Sequence, residues 1–231
     1  MITKQDLPEL ALKDLKYILD KPGEIIYSSH ETLKKGDLYL LGLNPGEIDL
    51  SSHVEPNQKE GPRSIRVHLQ QMLSKNHNSY TDEDWSSSNK TFPIGEAPLQ
   101  KRVKYLIESL GYNTEDVCAS NIIFVRSKNA NALNFGLAGY CWKFHERIIE
   151  IIQPKLILCF GISEISAYSF LKSLLPINDP VVEIESGHSN WKCESFTTNL
   201  NNKEIKVVGI PHLSYYDITT KPEVIQWISN L

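Results

Sequence analysis

Three apolar runs of this 231-residue chain end in polar residues able to do chemistry. "LYLLGLNPGE" stops at Gly42-Leu43-Asn44-Pro45-Gly46. "VCASNIIFV" carries Asn121 and runs into "RSKNAN", with Arg126, Lys128, Asn129 and Asn131. "KEIKVVGIPHLSYYD" ends in Pro211-His212-Leu213-Ser214-Tyr215-Tyr216. A carboxamide has no basic lone pair near neutral pH, so Asn44 cannot serve as a general base. It can hold a water, accepting one hydrogen bond and donating another. Pro45 stiffens the turn, and Gly46 lets a backbone or ligand come close without a Cβ. Taken singly, these residues also fit ordinary roles: a turn after a strand, a structural hydrogen bond, a capping histidine, packing tyrosines.

The elements that position them follow from periodicity. Segments 38–43, 117–125, 155–161 and 203–214 read as strands, the first and third apolar enough to be buried on both faces. Between them, apolar spacing predicts helices at 7–20, 99–110, 139–154, 163–175 (capped by Ser163) and 221–231, with Pro222 near the last one's first turn. Residues 47–91 form a long polar insertion with one short helical patch, Ile65–Leu73, and residues 1–30 a helical extension. Alternation of strand and helix predicts a single α/β domain over 1–231: three α/β/α layers around a central, mostly parallel four-stranded sheet. Ligands of such sheets sit at the carboxyl ends of the strands. If these strands are neighbours, Asn44 and His212 converge on one cleft.

Composition limits the function. The formal charge of -4 and a pI near 6.0 do not advertise a nonspecific polyanion binder, although a local basic face remains compatible with an acidic body. Cys118, Cys141, Cys159 and Cys193 are widely spaced with no CxxC pair, which suits reduced thiols of an intracellular protein. No apolar run approaches the roughly 20 residues that span a bilayer, and the N-terminal stretch lacks a signal-peptide core. A cytoplasmic protein without membrane association is expected. No P-loop, GxGxxG or GxSxG motif points to a nucleotide cofactor or a serine hydrolase.

The order of the motifs carries more than any one of them. "LLGLNPGE" resembles the first active-site motif of the uracil-DNA glycosylase superfamily, in the form found in its mismatch-specific and single-strand-selective branches. "VVGIPHLSYYD" resembles the second, usually His-Pro-Ser. "FPIGEAPLQKRVKYLIESLGYNTEDVCASNIIFVRS" and "CWKFHERIIEIIQPKLILCFG" look like the thermophile-type, iron–sulfur branch. The resemblance covers roughly residues 38–231. It departs in two places: the cysteine set of the iron–sulfur branch is missing, so no cluster or other metal is expected, and Leu213 stands where proline is usual.

The resemblance implies an N-glycosidic bond hydrolysed in DNA carrying uracil or a related damaged pyrimidine, as in base excision repair, without a cofactor. The target nucleotide must leave the stack, and the transition state pairs a sugar oxocarbenium with a base anion. Asn44 and His212 become the catalytic pair, Asn44 placing a water and His212 donating, as neutral imidazole, to base O2. Gly42, Leu43, Pro45, Gly46, Phe92 and Asn121 become the base pocket, with Phe92 stacking and Asn121 reading the base edge. Glycine at 46, where the uracil-specific branch has an aromatic residue against the thymine methyl, implies tolerance of 5-substituted bases. Arg126, Lys128, Ser214, Tyr215 and Tyr216 are the expected DNA contacts, with a tyrosine as wedge. The expected partner is single- or double-stranded DNA, bound by a monomer. The rival readings are a catalytically silent member that binds nucleic acid or a protein, and a nucleoside or nucleotide hydrolase.

Overall fold

The computed structural model describes residues 2–46, 63–87 and 90–231. Strands β1 (Leu38–Gly42), β4 (Cys118–Asn121), β5 (Leu156–Phe160) and β8 (Lys203–Ile210) are the four expected from sequence. They pair in parallel in the order β4-β1-β5-β8. The sheet has six strands, not four. β7 (Trp191–Leu200) pairs antiparallel with β8, and β6 (Val182–His188) antiparallel with β7. Their concealment has a physical cause: β6 is mostly exposed, and β7 fills buried positions with Ser195, Thr197 and Thr198, so neither shows an apolar pattern.

Alternation along the strands divides the core. Tyr39 and Leu41 face α1 (Leu7–Asp14), α4 (Leu137–Ile152) and α5 (Ala167–Leu174). Leu38 and Leu40 face α3 (Pro98–Ser109) and α6 (Pro222–Ser229). The result is the expected mostly parallel α/β sheet flanked by helices.

Several boundaries move. α1 ends at Asp14, and residues 15–21 continue as turns that still bury Leu15, Ile18 and Leu19. α5 is capped by Ser166, whose Oγ accepts from Ser169 N at 3.1 Å, and not by Ser163. β4 closes at Asn121: Ile122 N and Ile123 N still donate to Gly42 O and Leu43 O, while on the other edge Tyr27 N donates to Ala119 O, Glu24 N to Phe124 O and Arg126 N to Pro22 O. Residues 22–27 thereby run antiparallel along the free edge of β4 and cover it. The early closure puts Asn121 at the carboxyl edge of the sheet.

The insertion expected over 47–91 lies in part, at 47–62 and 88–89, outside the described residues. Its described part holds α2 (Ile65–Gln71) and a hairpin of β2 (Trp85–Ser87) and β3 (Lys90–Phe92). Buried Gln100 of α3 ties this part down: its carboxamide donates to Ser79 O and Glu83 O and accepts from Ala97 N.

Candidate active site at the carboxyl edge of the sheet

β1 and β8 flank β5, so their carboxyl ends lie about 10 Å apart at ordinary strand spacing. Asn44 and His212 follow those two ends, and Asn121 ends the strand on the other side of β1. Gly42 joins the row. A Cβ added there would overlap Asn121 Oδ1 and stand 2.7 Å from Phe160 Cζ. The glycine is therefore a seat for a carboxamide and an aromatic ring. Phe160 in turn meets His212 edge-on, ring centres 5.4 Å apart. Asn121, Gly42, Phe160 and His212 form one continuous wall. Phe160 had no signal in sequence beyond the end of an apolar run.

Asn121 is 5% exposed, and its carboxamide makes no side-chain hydrogen bond with another described residue, so its polar atoms are left to the small part of the residue that reaches solvent. Asn44 is the opposite case. Its Nδ2 donates to Pro45 O and to Ser127 Oγ, both at 2.8 Å, with Val125 O at 3.4 Å. Two of these acceptors are carbonyls, which can face only the amino end, so the amide cannot be flipped. Both donors are used, and Oδ1 is left as the acceptor. The expectation of an amide that donates and accepts toward a water is thus corrected: here it can only accept.

The turn bearing Asn44 is clamped to the loop after β4. Ser127 N donates to Pro45 O at 3.2 Å, and Arg126 Nη1 to Gly46 O at 2.9 Å. Arg126 also pairs with buried Glu24 at 3.0 Å, and Lys75 with the same carboxylate at 2.8 Å. Burial acts to raise the Glu24 pKa, but Lys75, His68 and Arg126 outweigh it and hold it below the ordinary value. Arg126 is consequently a partly buried cation engaged by Glu24 and Gly46, not one displayed to a phosphate. Lys128 is exposed. Pro45 is buried and Leu43 partly so, whereas Gly46 is exposed, and no described residue comes within 4 Å of where its Cβ would be.

His212 sits on a one-turn loop in which Tyr215 N and Tyr216 N both donate to its carbonyl at 3.0 Å. Ser214 N donates to its Nδ1 at 3.1 Å. The nitrogen that accepts cannot carry the proton, so the neutral ring bears it on Nε2. Burial lowers the pKa and favours that neutral form. Gly161, at φ 119°, lies beside the ring, where a Cβ would stand 3.8 Å from His212 Cδ2. A hollow of about 170 Å³ opens on this side, bounded by Gly161, His188, Trp191, His212 and Tyr215.

The two tyrosines separate. Tyr215 is 81% exposed beside His212, but Tyr216 is 0% exposed and donates to Ser186 O at 2.8 Å. Tyr216 is core, which removes it from the expected DNA contacts. Ser214 is exposed, its backbone engaged on both sides. Phe92 lies on the β2–β3 hairpin and lines a separate hollow of about 520 Å³ with Lys101, Arg102 and Asp217. Nothing brings its ring to the Asn121–Phe160 wall, where Phe160 takes the position against Gly42.

All four cysteines are buried and free. Among the described residues, no group of three His, Cys, Asp or Glu side chains could hold a metal ion, and no helix is long and apolar enough to cross a membrane. No protein-family model matches the chain, and no curated protein matches it.

Proposed function

We propose that this chain is an outlying member of the uracil-DNA glycosylase superfamily and hydrolyses the N-glycosidic bond of uracil or a related damaged pyrimidine in DNA. The observation that carries the reading is Asn121: a residue nine-tenths buried, its carboxamide unbonded to any described side chain or backbone group, on the same strand edge as Asn44 and His212. An unpartnered amide against an aromatic wall suits the edge of a planar base, offering one donor and one acceptor to uracil N3–H and O4. His212 Nε2–H donates to base O2 as the bond from N1 to C1′ breaks and negative charge develops on the base. Asn44 Oδ1 accepts from a water and turns its lone pair toward C1′, a contribution of orientation and not of basicity. The water oxygen bonds to C1′, and its proton neutralises the departing base.

The test is alkaline cleavage of single- and double-stranded oligonucleotides carrying uracil or modified pyrimidines. The wild type is expected to leave alkali-labile sites, and Asn44→Ala and His212→Ala to lose about 10²–10³-fold in rate. Full activity in both variants would overturn the assigned roles.

One observation favours a second reading. Arg126, which holds the Asn44 turn at Gly46 O, is spent on Glu24 and Gly46 and is not free for a phosphate backbone. A nucleoside or nucleotide hydrolase, or a catalytically silent member, would not need it. Base release from free nucleosides, with none from oligonucleotides, selects the first of these.

A further inference from the structure

We infer that Arg102, on α3, is a positioning residue for His212, acting through the peptide unit that selects the imidazole tautomer. Its Nη1 donates to Leu213 O and to Ser214 O, both at 2.8 Å, and its Nε lies 3.5 Å from Asp217 Oδ1. The Leu213 carbonyl and the Ser214 N–H belong to one planar peptide group, and in a trans peptide they point in opposite directions. One end of that group accepts from Arg102; the other donates to His212 Nδ1. The guanidinium and the imidazole are thus joined by a single rigid plate. A charged donor on the carbonyl also polarises the N–H, strengthening its bond to Nδ1.

Both bonds act on the choice of tautomer. With Nδ1 held as acceptor, the proton stays on Nε2, the nitrogen that the proposed reaction needs as a donor. Without the plate, the ring is free to exchange tautomers and to rotate. Arginine suits the place better than lysine, because a planar fork reaches two carbonyls and a carboxylate at fixed angles, whereas an ammonium is a point donor. Sequence alone did not single Arg102 out; it lies 111 positions from the first carbonyl that it binds.

The inference rests on His212 as the donor of the proposed reaction, yet its test needs no substrate. Long-range ¹⁵N–¹H correlation spectra of the histidine rings at pH 7.5, with His212 assigned by its loss in His212→Gln, report which nitrogen is protonated. The wild type is expected to show Nε2–H alone at His212. Arg102→Met should convert this to a mixture of both tautomers, with the buried His145 signals unmoved. Arg102→Lys should fall between the two, and it decides the matter if the methionine variant fails to fold. Unchanged His212 nitrogens in the variant that folds overturn the inference, as does equal disturbance of His145, which would mark a general loosening. A shifted tautomer in a protein whose wild type excises no base would leave this inference standing and count against the function alone.

Discussion

The carboxamide oxygen of Asn121 lies where a side chain on Gly42 would have to be, and the ring of Phe160 closes the same space from the next strand. Three neighbouring strands thus meet at one missing Cβ. Gly42→Ala must push the amide or the ring aside. The expected cost is about 1–3 kcal/mol, as for other over-packed interiors. Excision should fall by roughly 10²-fold, because a shift near 1 Å is enough to spoil alignment. Urea unfolding and the oligonucleotide assay measure the two effects separately.

Asn121→Leu should part stability from function. The amide makes no side-chain hydrogen bond with a described residue, so its removal breaks none, and leucine is a side chain of similar size. Unfolding free energy is expected to stay within about 1 kcal/mol of wild type. Base excision should disappear. A loss of several kcal/mol would show that the amide is structural after all.

Gly46 tests selectivity. Its Cβ position is open among the described residues, and its φ does not require glycine. Gly46→Tyr should therefore fold with stability changed by less than about 0.5 kcal/mol. It should lose activity on 5-substituted pyrimidines while keeping it on uracil. Equal loss on both substrates would mean that the ring blocks the whole pocket.

The acid limit of stability should trace to His145. This ring lies in the core against Phe124 and Trp142, accepts or donates at Nδ1 with the Tyr39 hydroxyl at 2.8 Å, and has its pKa pushed down by burial to about 3. The unfolded chain, with a histidine near 6.5, binds the proton first. Stability is therefore complete above pH 6.5 and is lost as pH falls from there toward 3, by up to roughly 4 kcal/mol. His145→Gln should flatten that slope. Urea midpoints at pH 7 and pH 4, compared between wild type and variant, give the answer; parallel slopes would assign the acid loss to other groups.

Much of the parallel sheet was legible, because β1, β5 and the second half of β8 are buried on both faces and must be apolar there. β6 and β7 were not. Threonine and serine hold three of the five buried positions of β7, and exposure leaves β6 no pattern to keep. The end of β4 was placed too late for a related reason. Residues 122–124 stay apolar and buried past the strand's end, while the backbone from Phe124 to Arg126 pairs with residues 22–24, a partner that no local period records.

The site divides in the same way. Sequence by itself determined which residue types stand at the strand ends: Asn44 between glycine and proline, Asn121, and Pro211-His212. Whether those ends adjoin is a matter of strand order, which pairing across long loops decided. Tertiary contact alone turned the Asn44 amide so that only its oxygen is left, spent Arg126 on Glu24 102 positions away, and set Tyr215 in solvent but Tyr216 in the core. Periodicity and turn chemistry act over a few residues. The direction of an amide, the tautomer of a ring and the partner of a cation depend on atoms brought together from across the chain.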